Sequence, residues 1–443
     1  MGDIKKLLLF CSMLFLARTS FSQLSQPVQK LQDFCRQNTA DGYSPRFNKL
    51  TLVPRGNLHY LFPFYHAFHD EEKFKKLYTD KGFYKELSEY FAFVGDYPTA
   101  LQYLQKSYDS IDDATRRKVF RRAESLKNIV HIDARTYINY QAKAYRVIMI
   151  NGSYSKPLHA AFTLSLLADL YKRGFRYLAM EMLDNFPDHT LTKLTLRTGY
   201  YSSEPVAGEL VRSALELGYK LVSYEDTAAA QHTEDQRDSV QAVNIYKVIK
   251  EDSSARILVC GSFARISKKL MPEGNIPMGL AFKQLSGIDP LTIDQTEMTE
   301  GGNLSYGSAI YDAYVQKFPL TTPSIALSDN EPVSITNNDL FDLYVIHPQS
   351  HYHDGRPDWL TLGGLRQAVY VKPSSPDVFL VQAYYANEIA ANENRPWQLV
   401  PADQTYVVGG KKNYLLYLKK GSYKIYFRDI NYHILNILTI EVS

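Results

Sequence analysis

The sequence predicts an α/β protein built around a mainly parallel β-sheet with helices on both faces. After residue 144, short and nearly continuous apolar runs alternate with amphipathic helical stretches, which is typical of parallel strands joined by helices. A helical region precedes this part, and a series of β-type runs follows it. A chain of 443 residues exceeds the usual size of one core. The changes of pattern divide it into residues 1–22, 23–143, 144–369 and 370–443.

The N-terminus has the pattern of a cleavable secretory signal peptide. Lys5 and Lys6 precede a short apolar run from Leu7 to Ala17, and Ser20-Phe21-Ser22 supplies small residues for cleavage before Gln23. The run is too short to cross a bilayer, and no later stretch is long enough either. The sequence therefore predicts export to the periplasm or the cell surface, with no transmembrane segment.

Charge and cysteine content exclude two classes of protein. The formal net charge is +3, of which the predicted signal peptide carries +2, so the mature chain at +1 is no general binder of nucleic acid or anionic lipid. Only Cys35 and Cys260 remain after cleavage. Two cysteines are no disulfide framework, and we expect two unpaired thiols, with a single bridge as the alternative.

The segment from Lys85 to Gln105 predicts a helix, a tight turn and a second helix. Apolar residues recur at helical spacing on both sides of Gly95-Asp-Tyr-Pro98, where glycine ends one helix and proline begins the next. This unit resembles a tetratricopeptide repeat. A stack needs about three repeats, and only one is recognisable. We therefore expect a helical hairpin packed on the next domain.

Five apolar runs predict the strands of the sheet: 147–150, 177–181, 220–225, 256–260 and 343–347. Helices are expected between the first four, at 162–173, 205–217 and 237–250. Ligands of such sheets bind beyond the carboxyl ends of the strands. The residues predicted at those ends are Asn151, Glu181, Glu225, Cys260 and His347.

The C-terminal region predicts a small antiparallel β-domain. Four runs rich in β-branched and aromatic residues are separated by turn residues: 378–384, 414–418, 423–427 and 434–442.

Six motifs within residues 145–366 resemble the erythromycin-esterase/ChaN-like superfamily, especially its exported members from Bacteroidetes-type bacteria. In chain order they are Tyr177-Leu-Ala-Met-Glu181, Gly199-Tyr-Tyr with Glu204-Pro-Val, Gly218-Tyr-Lys-Leu-Val-Ser-Tyr-Glu225, Arg237-Asp238 with Gln241-Ala-Val-Asn244-Ile245, Gly287-Ile-Asp-Pro-Leu-Thr-Ile-Asp-Gln-Thr296 and Gly355-Arg-Pro-Asp-Trp359-Leu. The resemblance implies a hydrolase scaffold. In it, a first-strand Asn-Glu-x-His-His motif, a later histidine and an acidic group polarise water or hold a metal.

The chain departs from this motif at its centre. Asn151 is kept, but Gly152 replaces the glutamate, Tyr154-Ser155 replaces the two histidines, and Arg265 replaces the later histidine. Neither tyrosine nor arginine substitutes for a neutral histidine as a base at pH 7. The remaining Asn151, Arg237, Asp238 and Arg265 are candidate ligand-binding residues, while Glu181, Glu225, His159 and Tyr154 are candidates for a remodelled catalytic site.

Other polar residues give weaker indications. His347, His351 and His353 form a histidine-rich stretch that is a weak candidate for a metal site, and a polar loop is the better interpretation. Ser153 and Ser155 follow the first strand but lack the nucleophile-elbow sequence. Cys260 near Arg265 is either an activated or a buried thiol. No motif for a cofactor is present, and haem or iron handling has no ligand set to support it.

Two functions follow as alternatives. The first is an exported, non-catalytic or reassigned binding protein, a pseudoenzyme that recognises a small molecule or an envelope component. The second is an active esterase-like hydrolase with a remodelled site of Glu181, Glu225, His159 and Tyr154. The second requires these side chains to converge on an open cavity.

Overall fold

The computed structural model describes residues 26–44, 57–184, 191–195, 198–301, 309–336, 339–373, 375–392, 396–407 and 413–443. The predicted signal peptide, residues 1–22, lies outside the described residues. Within the described part of the chain, no helix is both long enough and apolar enough to cross a membrane. Cys35 and Cys260 are free thiols, the first buried and the second partly buried.

The N-terminal region is helical. Its helices are α1 (Gln26–Gln37), α2 (Phe62–His69), α3 (Glu71–Phe93), α4 (Tyr97–Lys106) and α5 (Asp113–Ser125). Helices α3 and α4 pack together, since the Ser88 hydroxyl donates to the Ala100 carbonyl at 2.8 Å and the rings of Phe91 and Tyr103 stack at 5.2 Å. The likeness of this pair to a tetratricopeptide unit stays a prediction.

The central sheet is mainly parallel, as predicted. Its strands are β1 (Val130–Asp133), β2 (Val147–Gly152), β3 (Tyr177–Met180), β4 (Lys220–Ser223), β5 (Ile257–Ser262), β6 (Leu291–Met298), β7 (Ser324–Ser328), β8 (Glu331–Pro332) and β9 (Leu343–Ile346). The order is β1-β7-β9-β6-β2-β5-β3-β4, and the neighbours from β9 to β4 are all parallel. Strand β7 is antiparallel to β9, β1 and β8.

Helices bury both faces of this sheet. They are α6 (Ala134–Gln141), α7 (Pro157–Lys172), α8 (Pro205–Leu217), α9 (Glu234–Glu251), α10 (Met278–Ser286) and α11 (Ala309–Lys317). Ile148 and Ile150 of β2 belong to the core shared with α7 and α8, whereas Val147 and Met149 belong to the core shared with α9 and α10. Because successive side chains of a strand point to opposite faces, a continuous apolar run is needed to fill both cores.

The C-terminal region forms small antiparallel sheets. Strands β10 (Tyr352–His353) and β11 (Arg356–Pro357) form a hairpin, and β12 (Gln367–Val371) pairs with β15 (Tyr414–Leu418). A four-stranded sheet has the order β14-β13-β16-β17, formed by β13 (Leu380–Tyr385), β14 (Asp403–Tyr406), β16 (Gly421–Arg428) and β17 (Ile434–Val442). Helix α12 (Ala386–Ala391) follows β13.

Buried ionic groups join this region to the rest of the molecule. The fully buried Glu209 carboxylate of α8 contacts Arg366 Nη2 at 3.0 Å and Lys419 Nζ at 2.6 Å, and it accepts a hydrogen bond from the Tyr385 hydroxyl at 2.9 Å. Arg356 of β11 is also buried. It donates to the carbonyl of Gly95 at 2.9 Å and pairs with Asp403. These contacts connect the helical hairpin, the α/β region and the C-terminal strands.

Candidate functional site

Glu181 occupies the centre of a polar cluster at the carboxyl ends of the strands. It directly follows β3, and its Oε2 accepts a hydrogen bond from the backbone N–H of Ser262 at the end of β5, at 2.8 Å. Its Oε1 lies 3.3 Å from Arg237 Nη2 and 3.6 Å from Arg265 Nε. Both carboxylate oxygens therefore have partners.

Glu225, two residues beyond β4, is held by helix α9. Arg237 Nε donates to Glu225 Oε1 at 2.8 Å while Arg237 Nη2 donates to Oε2. Gln241, one turn further along α9, donates to the same Oε1 at 2.9 Å. Burial alone raises the pKa of Glu225, but the hydrogen bonds from Arg237 and Gln241 outweigh it and hold the pKa below its ordinary value.

The start of α9 sets the position of these side chains. The Thr233 hydroxyl accepts a hydrogen bond from the N–H of Gln236, and the Gln236 side chain accepts one from the N–H of Thr233, which completes a capping box. Arg237 and Gln241 are four residues apart and therefore lie on one face of the helix.

Asp238 and Arg265 form the second ion pair of the cluster. Asp238 is buried, and burial, together with the nearby Glu181 carboxylate, raises its pKa to about 6 despite the charges of Arg265 and Arg237. The four residues Glu181, Glu225, Arg237 and Arg265, with Asp238, thus form one connected ion-pair network. The structure brings together these five predicted residues.

A cavity of about 70 Å³ lies beside this network. That volume accommodates a few waters. Neither Glu181 nor Glu225 is among the described residues that line it. Its apolar wall includes Met180, Met182 and Leu210, and its polar lining includes Ser153, Tyr154, Lys156, His159 and Glu204.

Tyr154 and Tyr201 form one wall of the cavity. Their rings stack with centroids 3.8 Å apart and planes 10° apart. Burial raises the pKa of Tyr154 well above its ordinary value, and the carboxylates of Glu181 and Glu225 raise it further. The phenol therefore stays neutral near pH 7 and provides an aromatic surface and a hydroxyl, not a base.

His159 sits near the start of α7 and is buried. The backbone N–H of Ser153 donates to its Nδ1 at 3.0 Å, so in the neutral ring the proton is on Nε2. This Nε2 has no hydrogen-bond partner among the described residues. Burial lowers the pKa of His159 well below its ordinary value, and His347 and Lys156 add to this effect. The Nδ1 lone pair that a base would need is already in use.

Asn151, at the end of β2, joins the strands through its side chain. Its Nδ2 donates to Asp294 Oδ1 at 2.6 Å and to the Phe263 carbonyl at 3.0 Å, and its Oδ1 accepts from the N–H of Gln295 at 2.8 Å. Asn151 lines the cavity, but its side-chain amide already forms hydrogen bonds with Asp294, Phe263 and Gln295.

The structure separates the three histidines considered as a metal site. His347 is fully buried, with its ring edge-to-face on Phe162 at 5.5 Å, and burial lowers its pKa to about 3. His351 and His353 are exposed. Within the described ranges no group of three or more histidine, cysteine, aspartate or glutamate residues is arranged to hold a metal ion.

Cys260 is not activated by Arg265. Burial raises the pKa of its thiol to about 12, so it stays protonated. Arg265 is instead occupied by Asp238 and Glu181.

Sequence reasoning missed three residues of the cavity and the network. Lys156 precedes α7 and is only 9% exposed. Gln241 bonds Glu225, and Glu204 caps α8, since its Oε2 accepts from the N–H of Ala207 at 2.7 Å. Glu204 and Gln241 belong to motifs that the sequence does contain, whereas nothing in the sequence indicates that Lys156 is buried.

No protein-family model matches the chain, and no curated protein sequence matches it either.

Proposed function

We propose that the chain is an exported, non-catalytic binding protein that holds a small molecule at the carboxyl ends of its parallel strands. Its scaffold is proposed to be that of the erythromycin-esterase/ChaN-like superfamily, with a tetratricopeptide-like helical hairpin before it. The observation that carries the proposal is the pairing of Glu181 and Glu225 with Arg237 and Arg265.

Hydrolysis at this site needs a group that takes a proton from water. A general base must have a lone pair within about 3 Å of that water. The oxygens of Glu181 and Glu225 already accept hydrogen bonds from protein groups, and so does Nδ1 of His159. Tyr154 is neutral because burial raises its pKa. Neither carboxylate is among the described residues that line the cavity, Nδ1 of His159 is occupied, and Tyr154 is neutral, so none of the four candidate catalytic residues offers a base to water in the cavity.

The cavity beside the network favours a small, partly apolar ligand over a macromolecular envelope component. The stacked rings of Tyr154 and Tyr201 form a flat surface, and Met180 and Met182 add adaptable apolar contacts. Polar groups at Ser153 and Glu204 can orient such a ligand.

Two assays on the purified mature chain test this proposal. We expect no turnover of a panel of carboxylic esters and lactones, and we expect members of a small-molecule panel to raise the melting temperature. Tyr201→Ala removes one face of the stacked pair and should abolish that rise, whereas Tyr140→Ala, at an exposed tyrosine, should leave it intact. Ester hydrolysis that disappears in Glu181→Gln would overturn the proposal in favour of a remodelled hydrolase.

Export is tested separately. N-terminal sequencing of the mature protein from the periplasm or the cell surface should begin at Gln23. A chain that keeps Met1 and stays in the cytoplasm would contradict export.

A further inference from the structure

Strand β17 is an edge strand with an exposed and apolar surface. It pairs with β16 along one edge, and no other strand of the described residues pairs with its second edge. Residues 434–439 are all exposed, although successive side chains of a strand point to opposite faces. Four of these residues are large and apolar, each 41–46% exposed: Ile434, Leu435, Ile437 and Leu438. Within the described part of the chain, both faces and one edge of β17 are therefore open over most of its length.

Three other edge strands are protected against pairing. Strands β1 and β4, the first and last in the order of the central sheet, are four residues long and contain the charged residues Asp133 and Lys220. Strand β14, at the opposite edge of the sheet that contains β17, is mostly buried, and Arg356 donates to its Gln404 carbonyl at 2.6 Å. Short strands, charged residues and covered edges are usual ways in which proteins prevent pairing between sheets. In contrast, β17 has nine residues, more than any other described strand, and Glu441 is its only charged residue.

The exposed residues of β17 extend two apolar layers that end at this strand. Leu438 lies opposite Ile425 of β16, whose side chain belongs to a buried core with residues of β12 and β15. Ile437 lies opposite Tyr426, which packs with Ile389 on the other face of the sheet. A strand that extends both layers must itself be apolar on both faces, and β17 meets this requirement. Since β17 is almost uncharged, it offers no pattern of charges that would select a different partner.

We propose that β17 pairs in antiparallel orientation with β17 of a second copy of this chain, which makes the protein a two-fold symmetric dimer. A register centred on Leu438 pairs all nine residues, so that Leu438 faces Leu438 and Ile434 faces Val442 of the second copy. In this register Glu441 faces Leu435 of the second copy, so no like charges are opposite each other. A two-fold contact uses the same surface of both copies and closes at two. Because β14 is covered, the two four-stranded sheets then form one sheet of eight strands without a further open edge.

The size of this contact indicates a weak dimer. Nine paired residues at about 3.4 Å each extend over about 30 Å. The large apolar side chains of β17 are already more than half-buried in the single chain. Stable complexes bury about 1,200–2,000 Å² in total, and one pair of strands lies at the lower end of this range or below it. We therefore expect a dissociation constant in the micromolar range.

Sedimentation velocity of the full mature chain, from about 1 µM to about 500 µM, tests the proposal. We expect a change from monomer to dimer within this range. Leu438→Lys and Leu438→Glu should each weaken the dimer at least about tenfold, because each substitution places two like charges opposite one another. Leu285→Lys, at a leucine of α10 that is 47% exposed, is the matched control and should dimerise like the unsubstituted chain. A chain that stays monomeric throughout, or dimerisation that survives both Leu438 substitutions, overturns the proposal.

A mixture of the two variants tests whether β17 pairs with itself. Leu438→Lys and Leu438→Glu should form a heterodimer when mixed, since opposite charges then face each other. If another protein or another part of the same chain covers β17, mixing restores nothing, and that result refutes self-pairing.

Leu438→Cys replaces this pair of variants if either of them does not fold. Opposite residues of paired strands are about 4.5–5.5 Å apart, within the range of a disulfide. Mild oxidation should give a disulfide-linked dimer of Leu438→Cys and none of the control Leu285→Cys. Equal cross-linking of the two variants, or none in either, contradicts the pairing.

Discussion

Arg237 binds Glu225 through two of its nitrogens at once, with Nε donating to Oε1 at 2.8 Å and Nη2 donating to Oε2. The guanidinium also reaches Glu181 at 3.3 Å, so one side chain of α9 connects the residues that follow β3 and β4. Arginine is suited to this position because its planar fork matches a carboxylate, whereas lysine offers a single point of contact.

Arg237→Gln should lower the free energy of unfolding by about 1–3 kcal/mol, because two partly buried carboxylates lose a charged donor. Urea denaturation measures this change. The control Arg135→Gln removes an ion pair with Asp169 in which the arginine side chain is 49% exposed, and should cost less than about 1 kcal/mol. Equal losses in the free energy of unfolding would show that the network stabilises the protein no more than a surface ion pair does.

Glu209→Gln should be among the most damaging conservative substitutions in the chain. It removes the charge that compensates Arg366 and Lys419 in a fully buried position, and losing one partner of such a pair costs about 3–5 kcal/mol. Glu216→Gln is a matched control, because Glu216 also contacts Lys419, at 3.1 Å, but is exposed. We expect a large drop in melting temperature for the first variant and almost none for the second. A larger drop in melting temperature for Glu216→Gln than for Glu209→Gln would contradict this explanation.

His347 should make the protein less stable in mild acid. Burial lowers its pKa from 6.5 to about 3, so the unfolded chain binds this proton more readily than the folded chain. The stabilisation is complete above pH 6.5 and decreases as the pH falls towards 3, by about 1.4 kcal/mol per pH unit. His66, whose pKa burial lowers to about 4, adds to the same slope.

Urea unfolding at pH 7.5, 6 and 5 measures this slope. His347→Leu should make it shallower, whereas His353→Leu, at an exposed position, should leave it unchanged. An identical slope in His347→Leu and the unsubstituted protein would refute the assignment.

Gly95→Ala should destabilise the protein for two reasons, the positive φ of Gly95 and a steric clash of the added Cβ with its neighbours. Gly95 has φ +78°, and a Cβ there would lie 2.3 Å from the Gln404 carbonyl oxygen and 2.7 Å from Arg356 Nη1. Gly287 has a similar φ of +70°, with nothing within 4 Å of the added atom. Gly287→Ala should therefore cost about 1 kcal/mol, and Gly95→Ala clearly more. Equal shifts in melting temperature would mean that the neighbours of Gly95 move aside freely.

Hydrophobic patterning accounts for most of the central sheet. Each of the strands β2, β3, β4, β5 and β9 contains a short apolar run that predicts it. Strands β2 and β9 are buried on both faces, whereas β4, at the edge of the sheet, exposes Lys220. Strand β6 was missed since Thr292, Asp294 and Gln295 are polar and nevertheless buried. Each of the three hydrogen-bonds to Asp342 or Asn151, partners that lie far away in sequence. Strand β14 was missed for the same reason, since Asp403 and Gln404 are buried polar residues bonded to Arg356.

The candidate site was predictable in position but not in connectivity. Parallel strands bring their carboxyl ends to one edge, which placed Glu181 near Glu225 from the sequence alone. Their shared arginine depends on the register of α9, and the burial of Lys156 depends on the packing of the segment after β6; neither leaves a local pattern. The same holds for His347, which the sequence grouped with His351 and His353 although it is buried in the core.

The bonds of Arg356 to Gly95, Gln404 and Asp403 have a consequence for how this chain comes apart. Removing strands β13 to β17 would leave the buried Arg356 guanidinium without its counter-charge, Asp403, and without the Gln404 carbonyl. The helical hairpin and the C-terminal sheets therefore stabilise each other, although they are far apart in sequence. We expect the two regions to unfold together in one cooperative transition, without a long-lived intermediate in which only one of them is folded.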